Sequence, residues 1–149
     1  MPKIGAHVSA AVSLETSFKK ALDIGAECTQ FFISPPQQWA QTKHDEEEIS
    51  RYLEEQKKTG IGPNYIHGTY LVNLGSDSVE HVQKSVDWLI YALNMASKLS
   101  VRGVIIHTGS HKGKGFDSIL EQVITALKNV LSNAEGNSLL MLETSGRVS

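Results

Sequence analysis

Short apolar runs alternate with longer amphipathic stretches along the whole chain, and this alternation restricts the fold more than any other feature of the sequence. Residues 4–8, 28–33, 65–66, 101–106 and 139–142 read as strands. Residues 14–24 carry Leu14, Phe18, Ala21, Leu22 and Ile24, and Gly25 follows where a helix ends. Residues 45–59 open acidic and close on Lys57-Lys58 before Gly60, the charge order a helix dipole favours. A longer helix follows Asp77, which stands three residues before Glu80 as in a capping box. Its stripe is Val79, Val82, Val86, Leu89, Leu93 and Ala96, with Trp88, Tyr91 and Met95 as a second stripe for an outer layer. Residues 117–131 form the last helix, striped by Leu120, Ile124, Leu127 and Leu131.

The order is thus β-α-β-α-β-α-β-α-β, which argues for a parallel sheet with crossover helices. No GxGxxG follows the first strand, so a dinucleotide fold gets no support. A (β/α)₈ barrel takes about 250 residues, and the 149 residues here hold about four and a half of its units. Ending on a strand leaves an apolar edge unpaired. The expected organisation is therefore one partial domain over residues 1–149, the N-terminal half of a barrel. A small open α/β sheet, complete as it stands, is the alternative, and two copies completing one barrel is a third.

Fourteen Lys and Arg against sixteen Asp and Glu give a net charge of −2. A histone-like nucleic-acid binder, which needs a large positive excess, is excluded. The single Cys28 permits neither an intrachain disulfide framework nor a CxxC zinc ribbon, and in a strand it reads as buried and inert. Neither a signal-peptide run nor a membrane span of roughly 18 apolar residues is present. The expectation is a soluble, cytoplasmic chain with no membrane partner.

Three residues share one context. His67, His107 and Glu143 each follow a strand, and they are separated by 40 and 36 residues, each about one βα unit. Successive parallel strands lie side by side, which brings all three to the C-terminal edge of the sheet, where α/β active sites form. Two imidazoles and a carboxylate match the ligand set of a hydrolytic zinc centre. The competing reading of each is a hydrogen-bonded core or loop residue.

The words Ile4-Gly5-Ala6-His7-Val8-Ser9, Ile66-His67-Gly68-Thr69-Tyr70-Leu71-Val72-Asn73-Leu74-Gly75, Ile106-His107-Thr108-Gly109-Ser110-His111 and Leu142-Glu143-Thr144 closely resemble endonuclease IV, a family of zinc-dependent apurinic/apyrimidinic endonucleases. The resemblance runs the length of the chain, in order and with matching spacing. It implies a TIM barrel of the xylose isomerase-like type holding three zinc ions when complete. On that pattern His67, His107 and Glu143 hold the first zinc, and Glu143 bridges to the second. The implied reaction is hydrolysis of the DNA phosphodiester 5′ to an abasic site in base excision repair, with Glu143 as the residue on which turnover depends. Tyr70 and Leu71 match positions that insert into the minor groove of double-stranded DNA, and wedges of this kind replace lost stacking. Core packing under a loop is their other reading. His7 and His111 match family words too, and are read not as zinc ligands but as supports of the ligands or as locally hydrogen-bonded residues.

Three departures qualify the resemblance. The family's remaining ligands lie beyond residue 149, so this chain supplies one zinc's ligands and part of a second's, and is expected to be inactive alone. Gln37 stands in the Ser34-Pro35-Pro36-Gln37-Gln38-Trp39 loop where a basic residue is expected; it keeps hydrogen bonding to DNA and loses the charge. Val12-Ser13 stands where glycines are frequent. Asp45-Glu46-Glu47-Glu48 reads as a solvated helix start, and Lys112-Gly113-Lys114-Gly115 as a flexible basic loop within reach of phosphate. The rival readings are a metal-dependent sugar isomerase or epimerase on a related barrel, and a truncated half-barrel without catalysis.

Overall fold

The structure, a computed structural model, describes residues 1–107 and 109–144. Thr108 of the fourth-strand word and the residues leading to Ser149 lie outside the described residues. The elements run β1 (Gly5–His7), α1 (Thr16–Asp23), β2 (Cys28–Phe31), α2 (Glu46–Thr59), β3 (Asn64–His67), α3 (Val79–Lys98), β4 (Gly103–His107), one 3₁₀ turn (Phe116–Ser118), α4 (Leu120–Asn133) and β5 (Leu139–Glu143). All neighbouring strands pair in parallel, in the order β1-β2-β3-β4-β5. A sheet that winds one way, with a helix between each pair of strands, is the barrel pattern; a doubly wound sheet would reverse its strand order part-way.

Side chains alternate across each strand. Thr29 and Phe31, Asn64 and Ile66, and Val104 and Ile106 are buried on the side where the helices pack. That core includes Phe18 of α1, Tyr52 of α2 and Leu89 and Leu93 of α3, each fully buried aliphatic side chain contributing about 1.5–3 kcal/mol. The buried Asn64 is hydrogen-bonded at both ends of its amide: its Oδ1 accepts from the Thr29 N–H and hydroxyl, and its Nδ2 donates to the Ile61 carbonyl. Cys28, Gln30, Tyr65 and Ile105 occupy the opposite, concave face and are partly exposed. Gly103 lets β4 and β5 approach closely, since a Cβ there would run into the Leu139 backbone.

Asp45 caps α2 by accepting from the Glu48 N–H at 2.8 Å, and Gly60 ends it in the left-handed conformation at φ 67°. The cap of α3 differs from the expected one. Ser78, not Asp77, accepts from the His81 N–H at 3.2 Å, while the Asp77 carboxylate reaches across to Lys114 at 2.6 Å. Asp77 sits one residue too early to cap, and a cation from the next loop claims it. Val79, at the head of the expected α3 stripe, is 84% exposed, because the core reaches this helix only from its second turn. In the second stripe Trp88 and Met95 are buried and Tyr91 is half-buried, its hydroxyl donating to the Thr42 carbonyl at 2.7 Å.

The stripe of α4 is also corrected, by one residue throughout. The buried set is Ile119, Val123, Ala126 and Val130, whereas Leu131 is 59% exposed. Leu22 and Ile24 at the end of α1 are likewise exposed. Among the described residues no helix is long and apolar enough to cross a membrane.

Candidate metal centre

His67 is the last residue of β3, His107 of β4 and Glu143 of β5. Residues Gly103, Ile105 and His107 pair with Leu139, Met141 and Glu143 in register. Since Val104 and Ile106 face the helices, strand alternation sends His107 and Glu143 to the concave face. Tyr65 and His67 pair with Gly103 and Ile105 and share that face, with His107 two residues further along β4 than His67's partner. One ligand atom from each of the three side chains lies within 4.8 Å of the others.

The donor set suits a cation. His67, whose side chain is only 7% exposed, places Nδ1 at 2.7 Å from the Gly68 carbonyl. A carbonyl only accepts, so Nδ1 carries a proton, and Nε2 is the ring nitrogen left to bind a cation. That nitrogen faces Glu143 Oε2 at 3.7 Å. Two acceptors at this distance repel unless a positive charge, a metal ion or a second ring proton, stands between them. A backbone carbonyl fixing the tautomer of an imidazole is also how metal-bound histidines are oriented.

His7 flanks this group without joining it. Its ring centroid lies 5.9 Å from that of His67 and 4.6 Å from that of Phe32, and the Gln30 amide donates to its Nδ1 at 2.9 Å. Burial, and after it the neighbouring His67, lowers the proton affinity of His7 below the ordinary imidazole value. His111 lies in the next loop, where its Nδ1 accepts from the Gly113 and Gly115 N–H groups at 3.2 Å each. In that basic loop Lys114 is paired with Asp77.

Tyr70 is 58% exposed, and its ring stands edge-on to Phe32 and His67 with centroids at 5.3 and 5.8 Å. Leu71 beside it is half-buried. The core reading thus does not hold for Tyr70. Gln37 is exposed on the preceding loop, next to Pro36, whose carbonyl accepts both the Tyr70 N–H at 2.9 Å and the Thr69 hydroxyl at 2.6 Å. Sequence reasoning missed Thr69, Asn73 and His81 as organisers of this edge. Asn73 Oδ1 receives the Gly75 and Ser110 N–H groups, and His81 Nε2 donates to the Leu71 carbonyl.

The profile of the xylose isomerase-like TIM barrel family matches residues 18–145. The chain belongs to that family. Within it the resemblance is to endonuclease IV. A probable endonuclease 4 from Persephonella marina is 33% identical over 135 residues, which cover 91% of this chain and 47% of that protein. The crystal structure of endonuclease IV from Thermus thermophilus superposes with a TM-score of 0.87 at 26% identity, covering 99% of this chain and 54% of that one. A 3-keto-D-glucoside 4-epimerase from E. coli gives a TM-score of 0.67 at 13% identity over 95% of this chain and 56% of that one, a likeness of fold alone. The chain spans about half the length of the curated relatives it matches.

Proposed function

We propose that this xylose isomerase-like barrel chain carries the first zinc site and the lesion-reading edge of an endonuclease that hydrolyses DNA 5′ to abasic sites in base excision repair, in a cytoplasmic setting. The observation that carries this reading is the convergence of His67, His107 and Glu143 within 4.8 Å, with the His67 tautomer already set. Two imidazoles and one carboxylate leave the fourth position of a tetrahedral zinc open, as in catalytic rather than structural sites. Zinc bound there would supply Lewis acidity and lower the pKa of water at that position.

The chain's own residues do the rest. His67 and His107 would contribute imidazole nitrogens, and Glu143 would contribute a carboxylate that offsets the charge of a divalent ion. Glu143, 49% exposed at the end of β5, would offer its second carboxylate oxygen to a further divalent ion. Tyr70 and Leu71 form an apolar wedge at the rim, and Gln37 offers an uncharged hydrogen bond to the DNA backbone. His111 shapes its own loop through the Gly113 and Gly115 N–H groups, and His7 packs beside His67 and Phe32.

The test uses the full chain, zinc and a duplex carrying one abasic site. The expected result is zinc binding that requires His67, His107 and Glu143, and tighter binding to the abasic duplex than to an intact one. Any nicking would be abolished by a chelator. Glu143→Ala should lose zinc while keeping most of the duplex affinity. Zinc binding unaffected by Glu143→Ala, or turnover of a free ketose in place of duplex binding, would overturn the reading.

A further inference from the structure

Helix α3 reaches back to the exposed Tyr70–Leu71 loop at two points, one turn apart. His81 Nε2–H donates to the Leu71 carbonyl at 2.7 Å. The Asn73 N–H donates to the Ser85 hydroxyl at 3.1 Å, and that hydroxyl donates to the His81 carbonyl at 2.8 Å. The His81 ring is held in turn by Trp39, edge-on with centroids 5.2 Å apart and planes at 80°. Trp39 belongs to the loop of Gln37, whose Pro36 carbonyl receives the Tyr70 N–H.

These contacts close a circuit from Pro36 through Tyr70, Leu71 and His81 to Trp39. The peptide unit entering Tyr70 is pinned through its N–H, and the one leaving Leu71 through its carbonyl. Two side chains therefore project from a backbone fixed at both ends, while Tyr70 itself stays 58% exposed. An exposed aromatic on an anchored backbone is preorganised for insertion, because the ordering cost is met before a partner arrives.

We propose that His81, buttressed by Trp39, is a positioning residue that sets the Tyr70–Leu71 wedge against an opened site in duplex DNA. This rests on the reading of the rim given under Proposed function. Neither residue belongs to the His67, His107 and Glu143 group, so the inference concerns lesion discrimination and not metal binding.

The experiment compares the full chain with His81→Leu, which removes the donor but keeps bulk against Trp39, and with His81→Gln, which restores an N–H donor. Three quantities are read: amide hydrogen exchange over residues 70–73, zinc affinity, and the ratio of affinities for a duplex with a tetrahydrofuran abasic analogue and for an intact duplex. The Leu variant is expected to speed exchange over 70–73 and to lower that ratio by about tenfold, the scale of losing preorganisation at one or two residues. Zinc affinity should not change, and the Gln variant should recover both effects. A purely stabilising His81 would lower the melting temperature and leave the ratio intact, which overturns the proposal, as does unchanged exchange in the Leu variant. A parent chain with no preference for the abasic duplex removes the wedge reading and the proposal with it. A preference that survives His81→Leu removes the proposal alone.

Discussion

Nε2 of His67 and a carboxylate oxygen of Glu143 face each other across 3.7 Å, while Nδ1 on the other side of the ring donates its proton to the Gly68 carbonyl. A divalent cation between them should therefore stabilise the fold. Zinc at a hundredfold excess over its dissociation constant is expected to add about 2.7 kcal/mol, read as a rise in melting temperature that a chelator reverses. His67→Ala should show no zinc-dependent rise. Protons compete for the same lone pairs, so the rise should shrink as the solution is made acid.

Gly103 sits where β4 and β5 approach closely, at the opposite end of β4 from His107. Adding a methyl group would press on the Leu139 backbone and force those strands apart. Gly103→Ala should cost about 1–3 kcal/mol, the usual range for overpacking. It should also weaken zinc binding, because the displaced strands carry His107 and Glu143. Denaturant unfolding and a zinc titration of the same variant check both effects.

The start of α3 separates two residues that look interchangeable in sequence. Ser78→Ala removes the acceptor for the His81 N–H and should cost about 1 kcal/mol. Asp77→Ala breaks an ion pair whose partners are 62% and 55% exposed, and should cost no more than a few tenths of a kcal/mol. Equal losses in thermal unfolding would restore Asp77 as a cap.

Tyr52 lies wholly buried between Phe18 and Phe31, with ring centroids at 4.8 and 5.7 Å. Among the described residues its hydroxyl has no hydrogen-bond partner. Burial pushes the phenol far above its ordinary range. Burial also raises Tyr91. Above a pH of about 10 the folded chain thus holds protons that the unfolded chain has released. The stabilisation is complete below that value and is lost progressively as pH rises from it towards the raised pKa of the folded chain. Tyr52→Phe should flatten the alkaline arm of the stability profile and leave neutral stability unchanged or raised by up to about 1 kcal/mol.

Much of this was legible because the signals were local. The acidic start and Gly60 end of α2 act within one turn, and the strands announce themselves as short apolar runs. His67, His107 and Glu143 were legible because each ends a strand, and unit spacing then fixes which edge they share. The α4 stripe was not, for a definite reason. Ile119, Val123, Ala126 and Val130 form one helical stripe, and Leu120, Ile124, Leu127 and Leu131 form another, rotated by a single residue. Periodicity is satisfied by either, and only packing against α3 decides. His81 and Pro36 were missed because their hydrogen bonds span 10 and 33 residues and leave no pattern in the intervening sequence.

The circuit around Tyr70 also fixes what counts as a transferable part. Grafted alone onto another barrel, residues 69–73 would arrive without the Pro36 carbonyl beneath them or the His81 and Ser85 side chains above. The unit that travels is three pieces of chain, residues 36–39, 69–73 and 81–85. Recombination or design that exchanges one βα loop at a time would cut through it at every junction.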